Sequence, residues 1–223
     1  MLRLAFLAIT FLSLFLFYLG TGRNKKVLLA GCLWALAVGL LSYSGFFRDT
    51  HAFPPRILYV IVPVVVYLVY LYRKWDQAML RPRLLLSVHS LRLPVELVLY
   101  QLYVAGKVPV IMTFKGWNFD ILAGISAILL LCYLGITQKK ISVAVWTIWN
   151  ILGLLSLVAI VSIALLSAPL PLQQLAFDQP NIAVLEFPYT LLPAVVVPVV
   201  LLSHLLGLKM RRRESGPAHP EIS

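Results

Sequence analysis

The stretch 89-HSLRLPVELVLYQLYVAGK-107 decides how this chain is read. His89, Arg92, Glu96, Tyr100, Tyr103 and Lys107 follow one another at spacings of 3, 4, 4, 3 and 4. At about 100° per residue these side chains fall within one narrow arc of a helix. The remaining faces are apolar, carrying Leu91, Leu93, Val95, Leu97, Val98, Leu99, Leu102 and Val104. An apolar helix with such a stripe is at home in a membrane only when the stripe faces other protein. The stretch therefore predicts a bundle of membrane helices, and ionisable side chains at that depth mark a candidate functional site.

Composition agrees. Of 223 residues, 61% are hydrophobic and only 12% charged, and the mean hydropathy is +0.92. A soluble domain carries about 25% charged residues, so a membrane protein is the class that fits. Apolar runs at 2–19, 26–47, 56–72, 119–137, 141–168 and 184–208 each approach the roughly 20 residues that cross a bilayer. The segment 84–106 makes a seventh span, or six remain if it is re-entrant. Arg3 ahead of the first run gives it the look of a secretory signal, but no A-x-A-like cleavage site follows and further spans begin at once. We read it as a retained helix. The expected fold is an all-α integral membrane protein of seven transmembrane helices forming one domain over 1–213. The polar tail 214–223 is expected to be disordered.

Charge placement sets the orientation. With the amino terminus outside and the carboxyl terminus cytoplasmic, the inner segments hold Arg23, Lys25, Lys26, Arg73, Lys74, Arg81, Arg83, Lys139, Lys140, Lys209, Arg211, Arg212 and Arg213. The outer segments hold Arg3, Arg48, Arg56, Lys107 and Lys115. That asymmetry follows the positive-inside bias. The net charge of +11 is thus a topology signal first, and the 209–213 cluster also suits anionic headgroups. No soluble basic domain offers a nucleic-acid surface.

Cys32 and Cys132 lie within spans, away from any C-x-x-C or metal-ligand spacing, and are read as packing residues. Gly31, Ala35 and Gly39, and again Ala123 and Ala127, recur at i+4. Small residues so spaced let helices approach closely, within the chain or in a homo-oligomer. Pro63, Pro94, Pro193 and Pro198 fall inside spans, where each removes a backbone hydrogen bond. Pro94 should disrupt the bond to the Ser90 carbonyl in the middle of the polar face. The loop 108–120 is rich in aromatic residues, with Met112, Phe114, Trp117 and Phe119, and suits the headgroup layer or a lid over the bundle. Asn118 or Asp120 is a candidate N-cap for the helix that follows.

Depth then groups the polar residues. His89 lies about 9 Å past Arg83, and His204 about 7–8 Å before Lys209, by helical rise. Both histidines come to a similar shallow cytoplasmic depth. Glu96 comes close to mid-membrane, and Trp146, Trp149 and Asn150 fall between. Arg92 and Glu96, at i and i+4, can pair and lower the cost of each charge. Alternatively, a solvated pocket opens from the cytoplasm onto His89, Arg92, Glu96 and His204. Glu96 would there act as a proton carrier, because burial penalises its charged form, and Arg92 would suit an anionic group. Two histidines at equal depth also meet the first requirement of a b-type haem, although no second pair supports it. No H-E-x-x-H or similar cluster points to a metal. The region Val195–Leu202 holds no lysine for a retinal Schiff base.

The run His89-x-x-Arg92-x-Pro94-Val95-Glu96, the loop Met112-Thr113-Phe114-x-Gly116-x-Asn118-Phe119-Asp120, and the ending from Phe187-Pro188 to Ser203-His204 resemble a family of small polytopic bacterial membrane proteins of the Bacteroidota. The resemblance implies a multi-pass inner-membrane location and no assigned activity. The leading expectation is small-solute or proton-coupled transport, or ligand binding, at His89, Arg92, Glu96, Tyr100, Tyr103, Asn150 and His204. Trp117, Asn118 and Asp120 are the outer-loop candidates. The cofactor is left open, and the expected partners are membrane lipids and a small ligand in the bundle. An intramembrane enzyme acting on a lipid or isoprenoid, and a non-catalytic membrane assembly factor, are the alternatives.

Overall fold

A computed structural model describes residues 1–76 and 79–214 of the chain. The described residues are helical, with no strand among them. The elements are α1 (Leu2–Gly20), α2 (Lys25–Tyr43), α3 (Leu58–Lys74), α4 (Pro82–Ser90), α5 (Arg92–Val104), α6 (Asp120–Thr137), α7 (Val143–Leu166), a π-helical turn (Leu192–Val196) and α8 (Val197–Glu214) that continues it. Glu214 is thus helical, and residues 215–223 of the expected tail lie outside the described residues. The helix starts are chemically marked. Asn24 Oδ1 accepts from Lys26 N (3.1 Å) and Val27 N (3.4 Å), Ser142 Oγ accepts from Val145 N (3.3 Å), and Pro82 opens α4, where its missing N–H is not needed.

Five helices are long and apolar enough to cross a membrane: Leu2–Gly20, Lys25–Tyr43, Asp120–Thr137, Val143–Leu166 and Leu192–Met210. The helix α3 has 17 residues. The segment expected as one span over 84–106 is broken at Leu91 into pieces of 9 and 13 residues. The break has a local cause: Pro94 has no N–H to give the Ser90 carbonyl, and its ring crowds the preceding turn. Leu91 N instead donates back to Val88 O (3.2 Å), and Val95 N restarts the helix at Leu91 O (3.1 Å).

The last rod is the centre of the bundle. Of its apolar window 61% is buried, against 17–28% in the other four long helices. It is apolar all round, as a helix surrounded by others should be. The helices α1, α3, α4 and α7 pack on α8, and α1, α2 and α3 pack on the π turn. Pro198 cannot donate to the Ala194 carbonyl one turn earlier, and Trp34 Nε1 of α2 supplies that bond instead (3.2 Å). The small-residue positions are used within the chain. Gly31 faces Leu14 of α1, Gly39 faces the Phe187 ring, and Ala127 is fully buried. The cysteines are corrected by the structure: Cys32 and Cys132 are free and exposed, because both lie on the outward faces of the sparsely buried α2 and α6.

Candidate functional site

The break at Leu91 makes Arg92 the first residue of α5, beside the first residue of α6, Asp120. The approach depends on Gly124, one turn into α6, where a Cβ would stand 2.7 Å from Leu93 N. A carboxylate in the first turn of α6 also complements the helix dipole. Arg92 and Asp120 form a two-pronged ion pair, with Nε 3.1 Å from Oδ2 and Nη2 bonded to Oδ1. Arg92 Nη2 also donates to Ser156 Oγ (2.8 Å) and Nη1 to the Gly153 carbonyl (3.4 Å), both on α7. Its Nη1 stands 3.2 Å from His204 Nε2 of α8.

That contact fixes the tautomer of His204. A guanidinium can only donate, so Nε2 presents its lone pair and the ring proton is on Nδ1. Nδ1 then donates to Asn150 Oδ1 (2.9 Å). Asn150 in turn donates from Nδ2 to the Trp146 carbonyl (2.8 Å), which confirms that its oxygen is the atom facing His204. His204 lies over Gly153, where a Cβ would come within 2.3 Å of ring carbon Cε1. The His89 ring packs on His204 with centroids 3.8 Å apart and planes 32° apart, and Trp149 meets the His89 ring edge-on at 5.1 Å.

A second arm reaches Glu96. The chain leaving α5 folds back into the bundle, burying Val108, Met112, Thr113 and Asn118. Gln179 Nε2 straps it from the next long loop, donating to the Tyr103 (3.0 Å) and Val108 (2.6 Å) carbonyls. Asn118 Nδ2 donates to Glu96 Oε1 (2.5 Å) and to the Met112 carbonyl (2.9 Å), while its Oδ1 accepts from Asp120 N (3.0 Å). One continuous array therefore runs Glu96, Asn118, Asp120, Arg92, His204, Asn150. Its members are between 0 and 7% exposed.

Several expectations change. Arg92 pairs with Asp120, not with Glu96: a residue opening a helix points back across the break, and here that direction meets α6 and α7. Neither of two apolar cavities in the bundle, about 260 and 220 Å³, is lined by a member of the array. The histidine rings lie face to face without room for a porphyrin plane between them. Tyr100 and Tyr103 stand apart from the array, because the upper half of α5 faces the returning loop. Tyr100 packs on Phe114 (5.0 Å) and Tyr103 (6.1 Å), and its hydroxyl is 2.7 Å from Lys115 Nζ. That bond holds the Lys115 ammonium above the usual lysine pKa. Trp117 is exposed, and Lys107 pairs with Glu186. Asn118 and Asp120, expected at the outer rim, belong to the array itself. Ser156, the Gly153 carbonyl and the Met112 carbonyl were not foreseen. A serine on an apolar helix and two backbone oxygens carry no signal of their own. Among the described residues no group of three or more His, Cys, Asp or Glu is placed to hold a metal.

A family model described as Domain of unknown function (DUF8737) matches residues 55–211. The chain belongs to that family. The DUF8737 match contains every residue of the buried array and leaves out α1 and α2. No curated protein matches the chain, and no solved structure matches it.

Proposed function

We propose that this DUF8737 protein is a seven-span protein of a bacterial inner membrane, amino terminus outside and carboxyl end cytoplasmic, whose buried array carries a proton in the coupled transport of a small solute. The lysine and arginine asymmetry supports the orientation. The same asymmetry supports counting α3 and the broken α4–α5 rod as spans. Depth supports an intramembrane site. Arg92 and Gly153 each stand ten residues past the starts of the α4–α5 rod at Pro82 and of α7 at Val143, and His204 meets both. That is about 15 Å of helix, half of a hydrocarbon core roughly 30 Å thick.

One observation carries the proton reading. All three guanidinium nitrogens of Arg92 are engaged, so it is not a vacant anion site. By contrast, Glu96 Oε2 and His89 Nδ1 are buried without a hydrogen-bond partner. Buried unpaired polar atoms are rare and mark functional chemistry or bound water. Both can take up a proton, one on Glu96 at the head of the array and the other on His89, whose ring packs on His204. Glu96 is the proton-carrying carboxyl in this reading, and His89 is its cytoplasmic-side counterpart.

The test is infrared difference spectroscopy on the reconstituted protein between acid and alkaline buffer, run beside dye-monitored proton uptake by vesicles. A protonated-carboxyl band that disappears in Glu96→Gln, with loss of uptake and retained helicity, supports the reading. No Glu96 band at any pH, with uptake unchanged in the variant, overturns it. The alternative is a non-catalytic helix lock. The saturation of Arg92 favours that reading for the Arg92–Asp120–His204 half of the array, and a Glu96→Gln variant changed only in thermal stability would extend it to Glu96.

A further inference from the structure

The cavity of about 260 Å³ lies between α3, α7 and α8, in the half of the bundle that carries Arg56 and Lys107. Of the side chains that line it, only Ser162, Asn181 and Tyr189 bear polar atoms. Two of these are already committed to the backbone. Ser162 Oγ donates to Val158 O (2.9 Å), and Asn181 Nδ2 donates to Ala164 O (3.2 Å). A polar solute would find almost nothing to bond, and apolar cavities of this order stay dry and take apolar guests.

The cavity also opens sideways. Val65, Val158 and Leu165 line it and are at the same time 51, 57 and 38% exposed on the apolar exterior. Its walls run from Ile57, just ahead of α3, to Leu68, and from Leu157 on α7 to Ala168, just past its end. That length is about 16 Å at 1.5 Å per residue, the depth of one leaflet of a core roughly 30 Å thick. We infer that this cavity holds a single hydrocarbon chain of a membrane lipid, entering from the bilayer between α3 and α7. A chain already in lipid gains nothing from leaving water. Retention therefore rests on shape and dispersion contacts, and the bound chain exchanges with the bilayer. The inference rests on the membrane reading of the helices and not on the proton chemistry of Glu96.

Photo-crosslinking of the full chain tests it. The protein is reconstituted in phosphatidylethanolamine–phosphatidylglycerol vesicles containing a phosphatidylethanolamine with a diazirine on one acyl chain, irradiated, and mapped by mass spectrometry. Adducts are expected on Leu102, Met112 and Leu157, which are 2, 2 and 4% exposed and out of reach of surrounding lipid. Ala164→Phe, which fills the cavity, should remove those adducts while leaving labelling of the exposed Leu155 unchanged. Adducts confined to outward residues such as Leu152 and Leu155 in the unmodified protein would overturn the inference. So would equal labelling of the three buried residues in Ala164→Phe.

Discussion

Arg92 of α5 and Asp120 of α6 form a two-pronged ion pair in which the two partners are 4% and 10% exposed by side chain. The pair joins the first residues of two helices, and each charge is the other's principal compensation. Removing one partner leaves an uncompensated charge, whereas removing both leaves none. Arg92→Leu and Asp120→Leu are each expected to destabilise the protein by about 3–5 kcal/mol. The double variant is expected to lose less than either alone. Unfolding in mixed micelles followed by tryptophan fluorescence measures this cycle, and additive losses would show that the two side chains do not act as a pair.

The tautomer of His204 is set by an arginine on one side and an asparagine oxygen on the other. Nitrogen-15 spectra of histidine-labelled protein should therefore show His204 protonated at Nδ1 and bare at Nε2. Asn150→Leu leaves the Nδ1–H buried without an acceptor, at a cost of about 1–3 kcal/mol, and should move that signal. A His204 resonance indifferent to Asn150 would contradict the assignment.

Gly153 is the floor under the His204 ring. Gly153→Ala places a methyl group within 2.3 Å of Cε1, so the ring must leave its place and both of its hydrogen bonds with it. We expect a lowered unfolding temperature and loss of the Nδ1-protonated signal. Gly135→Ala on α6, where a Cβ meets nothing within 4 Å, is the matched control. It should be neutral or stabilising by up to about 1 kcal/mol, the helix preference of alanine over glycine.

Orientation can be read with a membrane-impermeant maleimide, after Cys32→Ser and Cys132→Ser have removed the two native thiols. Lys115→Cys should be labelled on intact spheroplasts and Lys140→Cys only after the membrane is opened. The reverse pattern would invert the topology.

The polar stripe of residues 89–107 was legible because a helix repeats every 3.6 residues. The pairing along it was not. Spacing at i and i+4 suggested Arg92 with Glu96, but Pro94 breaks the helix at Leu91 and turns the guanidinium toward α6 and α7. The α7 seam was legible only at Trp146 and Asn150. Trp146, Asn150, Gly153, Leu157 and Ile160 are its buried residues, at the 4- and 3-residue spacings of a packed helix. Most of the helix is apolar, so no hydropathy contrast distinguishes Gly153, Leu157 and Ile160. Asn118 and Asp120 were visible as candidates but were assigned to the outer rim. Nothing local indicates that the chain after Lys107 folds back into the bundle.

By itself the sequence determined that this is a chain of apolar helices, how its charges are distributed along them, and that one apolar stretch carries ionisable groups at helical spacing. Those properties follow from transfer of side chains out of water and from helical periodicity, both local in the chain. Only the tertiary structure decided which polar atoms meet. Hydrogen bonds act over about 3 Å, and the long-range contacts of the array join residues 22 to 112 positions apart. They arise where a broken helix, a returning loop and two glycine seams bring backbones close enough to touch.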